Sequence, residues 1–172
     1  DLYKTLGVDK KASADEMARQ AKSLEADAQE LEISDSDAFT AITVMTPTMS
    51  EYFEQWKNSA FVAGNGGQTQ EAFVATSRLS DIADILSGIN VTYDEISPLI
   101  AEKNQGQAQQ TGAELADLLA KAEDLRDREA GGEQFTPRQA DQLGAEMQAQ
   151  AEKIAGQVTQ AAQDLGVEIQ EA

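Results

Sequence analysis

Two carboxylates three residues apart, Asp81 and Asp84, are the best candidates for chemistry in this sequence. On a helix that spacing turns both side chains toward a similar side. Paired carboxylate oxygens suit a hard cation such as calcium or ferric iron. Arg78 stands three residues before Asp81, so a surface ion pair is the plainer use of that acid. Tyr93-Asp94-Glu95 offers three oxygen-bearing side chains in a row. Helical neighbours diverge by about 100° and cannot chelate one ion together. Tyr93 instead fits an apolar stripe with its hydroxyl at the rim.

Other constellations fail on their own terms. Glu51 and Glu54 flank Tyr52-Phe53 near Trp56, the mixture of acids and aromatics that glycoside chemistry uses. Helical spacing reads the aromatics as core and the acids as a solvated face. Asp35-x-Asp37 opens like a calcium loop, which needs Gly at its sixth position and Glu at its twelfth. Thr40 and Thr46 stand there, so the aspartates are expected as helix caps. Gly64-Asn65-Gly66-Gly67 lacks the Lys-Ser or Lys-Thr of a phosphate loop and reads as a turn. The chain has no cysteine and no histidine. That excludes disulfides, thiolate centres, the Ser-His-Asp triad, the usual zinc sites and the commonest general base.

The elements that would position these residues are helices. Ala, Gln, Glu, Leu and Asp dominate, and strand-like alternation is scarce. Ser13 and Glu16 have capping-box spacing before a helix to about Glu32, striped by Met17, Leu24 and Leu31. A second helix carries Phe39, Ile42 and Met45 and breaks at Pro47, with Thr46 expected as the new N-cap. Its continuation holds Met49, Phe53, Trp56 and Ala60 and stops at the Gly64 turn. A third runs from near Thr69 to Ile100, with Leu79, Ile82, Leu86, Ile89, Tyr93, Ile96 and Ile100 in steps of three and four. Pro98 is expected to bend or end it, and Asn104-Gln105-Gly106 to form a loop. A fourth covers 107–130, and a fifth begins at the Thr136-Pro137 cap and closes at Gly166. The expected fold is all-α: one domain over 1–172, an antiparallel up-and-down bundle of four to five long helices.

Charge narrows the partners. The chain of 172 residues carries 31 Asp and Glu against 13 Lys and Arg, a net −18. Such a surface repels nucleic acid and anionic membranes and suits either high salt or a field that gathers cations. No apolar run is long enough to span a bilayer. The start at Asp1 suggests a mature product or a fragment.

Two resemblances appear. Asp1-Leu2-Tyr3-Lys4-Thr5-Leu6-Gly7-Val8 with Ala12-Ser13-Ala14-Asp15-Glu16 is similar to the opening of a J-domain, without its His-Pro-Asp loop or basic second helix. The longer likeness is to the imelysin-like family, including EfeO-type periplasmic iron-uptake proteins. Leu2-x-Lys4-x-Leu6 resembles the end of that family's His-x-x-Glu motif. Asp81-Ile82-Ala83-Asp84-Ile85 resembles its Asp-Leu-x-Asp-Phe segment. Phe135-Thr136 through Leu165-Gly166-Val167 resembles its terminal capped helix. The motif's His would fall before Asp1, its Glu aligns with Tyr3, and a further His is replaced near Leu79.

The resemblance implies a non-enzymatic, extracytoplasmic helical bundle linked to iron uptake, representing the C-terminal half of the family's architecture. Only Asp81 and Asp84 carry over as metal ligands, with iron or calcium as the expected ion. The alternative expectation is a structural or interaction module without a ligand site, docking a protein partner or a second copy. No nucleic acid and no membrane insertion are expected.

Overall fold

The structure, a computed structural model, describes residues 13–29, 34–64 and 77–170. The described elements are α1 (Ala14–Gln29), α2 (Asp35–Met45), α3 (Met49–Lys57), α4 (Arg78–Ala130) and α5 (Pro137–Leu165). All are helices, and among the described residues the sole strand-like contact is an isolated parallel bridge between Val62 and Phe135. The chain divides into two compact units, Asp1–Ser34 and Asp35–Ala172.

The first unit contains α1. Its start is the capping box the sequence predicts. Glu16 N–H donates to the Ser13 hydroxyl at 3.3 Å, and the Glu16 carboxylate accepts from Ser13 N–H at 2.8 Å. That backbone N–H, then the hydroxyl, holds the Glu16 carboxyl below the usual carboxylate range. Met17 is half-buried and Ala21 exposed. Leu31 lies outside the described residues, as do Leu2, Tyr3, Lys4 and Leu6.

In the second unit, Pro47 does break the helix, between Met45 and Met49. Thr46 is not the cap, however. It is fully buried, and its hydroxyl donates back to the Ile42 carbonyl. Thr48 takes the N-cap position without a side-chain cap bond. Asp35 and Asp37 likewise lie inside the first turn of α2, where the helix dipole favours acids, rather than at the cap. The continuation is shorter than expected. α3 stops at Lys57, so Ala60 lies beyond it, and Gly64 turns at φ +89°.

Thr69, where a helix is expected to start, lies outside the described residues, and α4 begins at Arg78. Ser77 is extended there, and its hydroxyl accepts from Leu79 N–H at 3.2 Å. Pro98 neither ends nor caps the helix. Proline cannot donate to the Asp94 carbonyl, and the Ser97 hydroxyl donates to that carbonyl at 3.2 Å.

Asn104 is the one non-helical residue in α4, at φ −150° and ψ 91°. The chain doubles back there. Tyr93 donates its hydroxyl to the Ala108 carbonyl at 2.8 Å, and the Ser77 hydroxyl donates to Glu129 at 2.7 Å. A straight helix would hold Ser77 and Glu129 roughly 78 Å apart, at 1.5 Å per residue. α4 is therefore a hairpin of two arms, 78–103 and 105–130. Asn104 caps the second arm, accepting from Gln107 N–H at 3.1 Å. The loop expected at 104–106 shrinks to this single extended residue.

α5 starts in a complete capping box between Thr136 and Gln139 with Pro137 in its first turn, and ends on Gly166 at φ +72°. Val167 N–H then donates to the Ala162 carbonyl at 2.9 Å, and the Thr40 hydroxyl accepts from Gln170 N–H at 3.1 Å. The cross-contacts fix direction. Lys57 meets Asp141, Pro47 meets Gln148 and Ser36 meets Glu168, so α2 and α3 run opposite to α5. Gln107 meets Gln157 and Glu114 meets Lys153, so the second arm also opposes α5.

One apolar cluster lies between these helices. All seven described stripe residues from Leu79 to Ile100 are buried, as are Leu115, Leu118, Ala122 and Leu125. Each such Leu or Ile contributes about 1.5–3 kcal/mol on burial. Trp56 is the aromatic hub, edge-on to Phe53 at 6.4 Å and to Phe135 at 5.4 Å.

Candidate functional site

Asp81 and Asp84 sit in the first arm of α4, one turn apart. Asp81 is half-buried and ion-paired with Arg78. The same guanidinium lies over the Tyr52 ring, 5.7 Å from its centroid, so two groups fix its place. Asp84 is exposed and, among the described residues, accepts no hydrogen bond; the nearby cation that feels its charge is Arg126. Asp84 also lines a shallow groove of about 250 Å³ between α2 and α4, floored by Ile42, Met45, Ile85 and Ile89. Among the described residues no three His, Cys, Asp or Glu side chains gather as a metal centre. The pair thus presents carboxylate oxygens to solvent, and any cation there would complete its shell with water.

Tyr93 differs from its expected role. Its hydroxyl is not at the rim: the residue is 2% exposed, and the hydroxyl crosses to the second arm. Burial pushes its pKa up, outweighing a lowering contact with Thr111. Asp94 and Glu95 are exposed, and Glu51 and Glu54 are exposed beside buried Phe53 and Trp56. Glu54 is tied to Lys57 at 2.8 Å.

The structure also brings together polar groups that spacing alone did not reveal. Glu129 accepts from the Trp56 indole at 3.1 Å and from the Ser77 hydroxyl at 2.7 Å. A single carboxylate thereby joins α3, the start of α4 and its far end. The signal available in the sequence was the lone Trp, whose N–H must find an acceptor when buried. Glu114 accepts from Lys153 at 2.6 Å and Gln110 at 2.9 Å. Burial pushes the Glu114 carboxyl up, but Lys153, Gln110 and Gln157 together hold it below the usual range.

Another groove, about 400 Å³, opens between the second arm and α5 over Leu125, Leu143 and Met147. Its cations are already engaged: Lys121 with Asp117 at 2.9 Å, and Arg128 with Asp124 at 3.1 Å and Glu133 at 2.7 Å. Glu133 holds the Arg128 pKa well above normal, with Asp124 adding to it. No described helix is long and apolar enough to cross a membrane.

No curated protein and no solved structure matches this chain. A family model does. The model described as Imelysin, of the peptidase M75 class, matches residues 9–161, a span that runs from before α1 to near the end of α5 and includes Asp81 and Asp84. With most of its length inside that match, the chain belongs to the imelysin family.

Proposed function

We propose that this chain is a non-enzymatic accessory domain of extracytoplasmic iron uptake that holds a hard cation through exposed carboxylates. The carrying observation is Asp84, exposed and one turn from Asp81 on a helix of a chain with net charge −18. Membership of the imelysin family supports the iron-uptake setting and the location outside the cytoplasm. The non-enzymatic reading rests on residue types, since the chain offers neither a histidine base nor a cysteine nucleophile.

The donor set decides what such a site can do. Two carboxylates on an open helix face suit a hard ion that keeps several of its waters. Arg78 competes for Asp81, so binding is weak, exchangeable and salt-sensitive. Calcium is the simplest probe. It should raise the melting temperature by mass action on the native state, and Asp81→Ala with Asp84→Ala should remove the rise. A double variant that responds like the parent places the cation elsewhere.

One feature favours a second reading, a module that docks a protein partner. Met45, on the groove beside Asp84, is 43% exposed. A large apolar side chain at an open groove is where a partner would bury area. That reading gives a stable complex and no response to calcium.

A further inference from the structure

We infer that the α4 hairpin is a conformational switch hinged at Asn104, and that its open form is an arm-exchanged dimer with a second copy of this chain. The reversal of direction rests on one residue. Residues on both sides are helical, and only Asn104 departs from helical dihedrals. If Asn104 adopts helical φ and ψ, the arms 78–103 and 105–130 join as one rod of 53 residues, about 80 Å long at 1.5 Å per residue. The rod carries the second arm and α5 away from α2, α3 and the first arm. Their buried faces would then be recovered from another molecule.

Every contact across the hinge is available in the exchanged form. Tyr93 to Ala108, Trp56 and Ser77 to Glu129, and Lys57 to Asp141 all join residues before Asn104 to residues after it. A second copy supplies the same partners, so the core is unchanged and only the hinge and the association entropy differ. One residue at the hinge favours the closed form: Asn104 caps the second arm through its side-chain oxygen, a bond the rod would lose. Pro98 already sits within a continuing helix.

The test is Asn104→Ala, refolded from denaturant at high concentration beside the parent. Removing the cap from the closed form and a poor helix former from the rod, in each of two chains, should tighten dimerisation about a hundredfold. Native mass spectrometry counts the chains. A zero-length carbodiimide cross-link at the Lys57–Asp141 pair, 2.8 Å apart, then reports the topology. In an exchanged dimer this link joins two chains and survives as a covalent dimer under denaturing conditions. Gly106→Ala alone, at a position helical in both forms and free of clashes, should leave the equilibrium at the parent's. An Asn104→Ala chain that remains monomeric overturns the inference. So does a dimer whose Lys57–Asp141 link stays within one chain, or a Gly106→Ala chain that dimerises as tightly as Asn104→Ala.

Discussion

Tyr93 and Gly112 show how one residue's identity is set by another's shape. A Cβ on Gly112 would stand 3.1 Å from Tyr93 Cε1, so a larger residue there requires the ring to shift. Glycine inside a helix costs about 1 kcal/mol relative to alanine, and at Gly112 the tight ring contact opposes that gain. Gly88 and Gly156 are helical too, but a Cβ there meets nothing within 4 Å. Gly88→Ala and Gly156→Ala should each stabilise by up to about 1 kcal/mol, while Gly112→Ala should destabilise by about 1 kcal/mol through overpacking. Urea unfolding midpoints give the three signs. Gain at all three positions would mean the Tyr93 ring yields easily.

The same tyrosine sets an alkaline limit. Burial raises its pKa in the folded protein above the ordinary value of about 10. Above pH ~10 the folded chain therefore holds a proton that the unfolded chain has lost, and stability falls as pH rises. Tyr93→Phe should flatten that decline above about pH 10. Urea midpoints of parent and variant at each pH measure it, and parallel curves would count against the buried phenol as the cause.

At the scale of elements, the caps carry much of the specification. The Thr136–Gln139 box satisfies N–H groups that the first turn of α5 would otherwise leave open. Thr136→Ala should cost about 1 kcal/mol, read from chemical denaturation. Thr136→Ser should keep most of that stability. Equal losses in both variants would point to packing of the threonine methyl instead.

The elements are also where the sequence was most and least legible. The three-and-four stripe from Leu79 to Ile100 names buried residues directly, because one helix face meets one core. Pro47 marks a break because it has no N–H to give, and the Thr136 and Gly166 caps are local chemistry. Three features were not legible. Ser77 begins α4 because its hydroxyl caps Leu79 while also reaching Glu129, 52 positions away. Thr46 looked like an N-cap, but tertiary packing buries it and turns its hydroxyl back on Ile42. The Tyr93 hydroxyl looked like a rim group because the stripe gives its face and not the height of the returning arm. Each miss depends on a contact between residues distant in sequence or on how deeply the core closes over them. The candidate ligands were readable as types, whereas Arg78's hold on Asp81 and the solvent exposure of Asp84 emerge only in three dimensions.

At the scale of the whole molecule, the excess of acids governs behaviour. A net −18 destabilises the compact state through self-repulsion and draws cations to its surface. Any added salt relieves part of that repulsion, so a specific cation effect must be separated from screening. The proposed place for such an effect is the Asp81–Asp84 pair, one turn apart on α4. The large groove over Leu125, Leu143 and Met147 is a poorer candidate, since its cations and carboxylates already satisfy one another.

The most direct test is the melting temperature in calcium against potassium chloride at matched ionic strength, for the parent and for the double variant Asp81→Ala, Asp84→Ala. The account predicts that calcium raises the melting temperature of the parent above the potassium control and that the double variant melts identically in both salts. A parent indifferent to calcium, or a double variant that keeps the full rise, would contradict it.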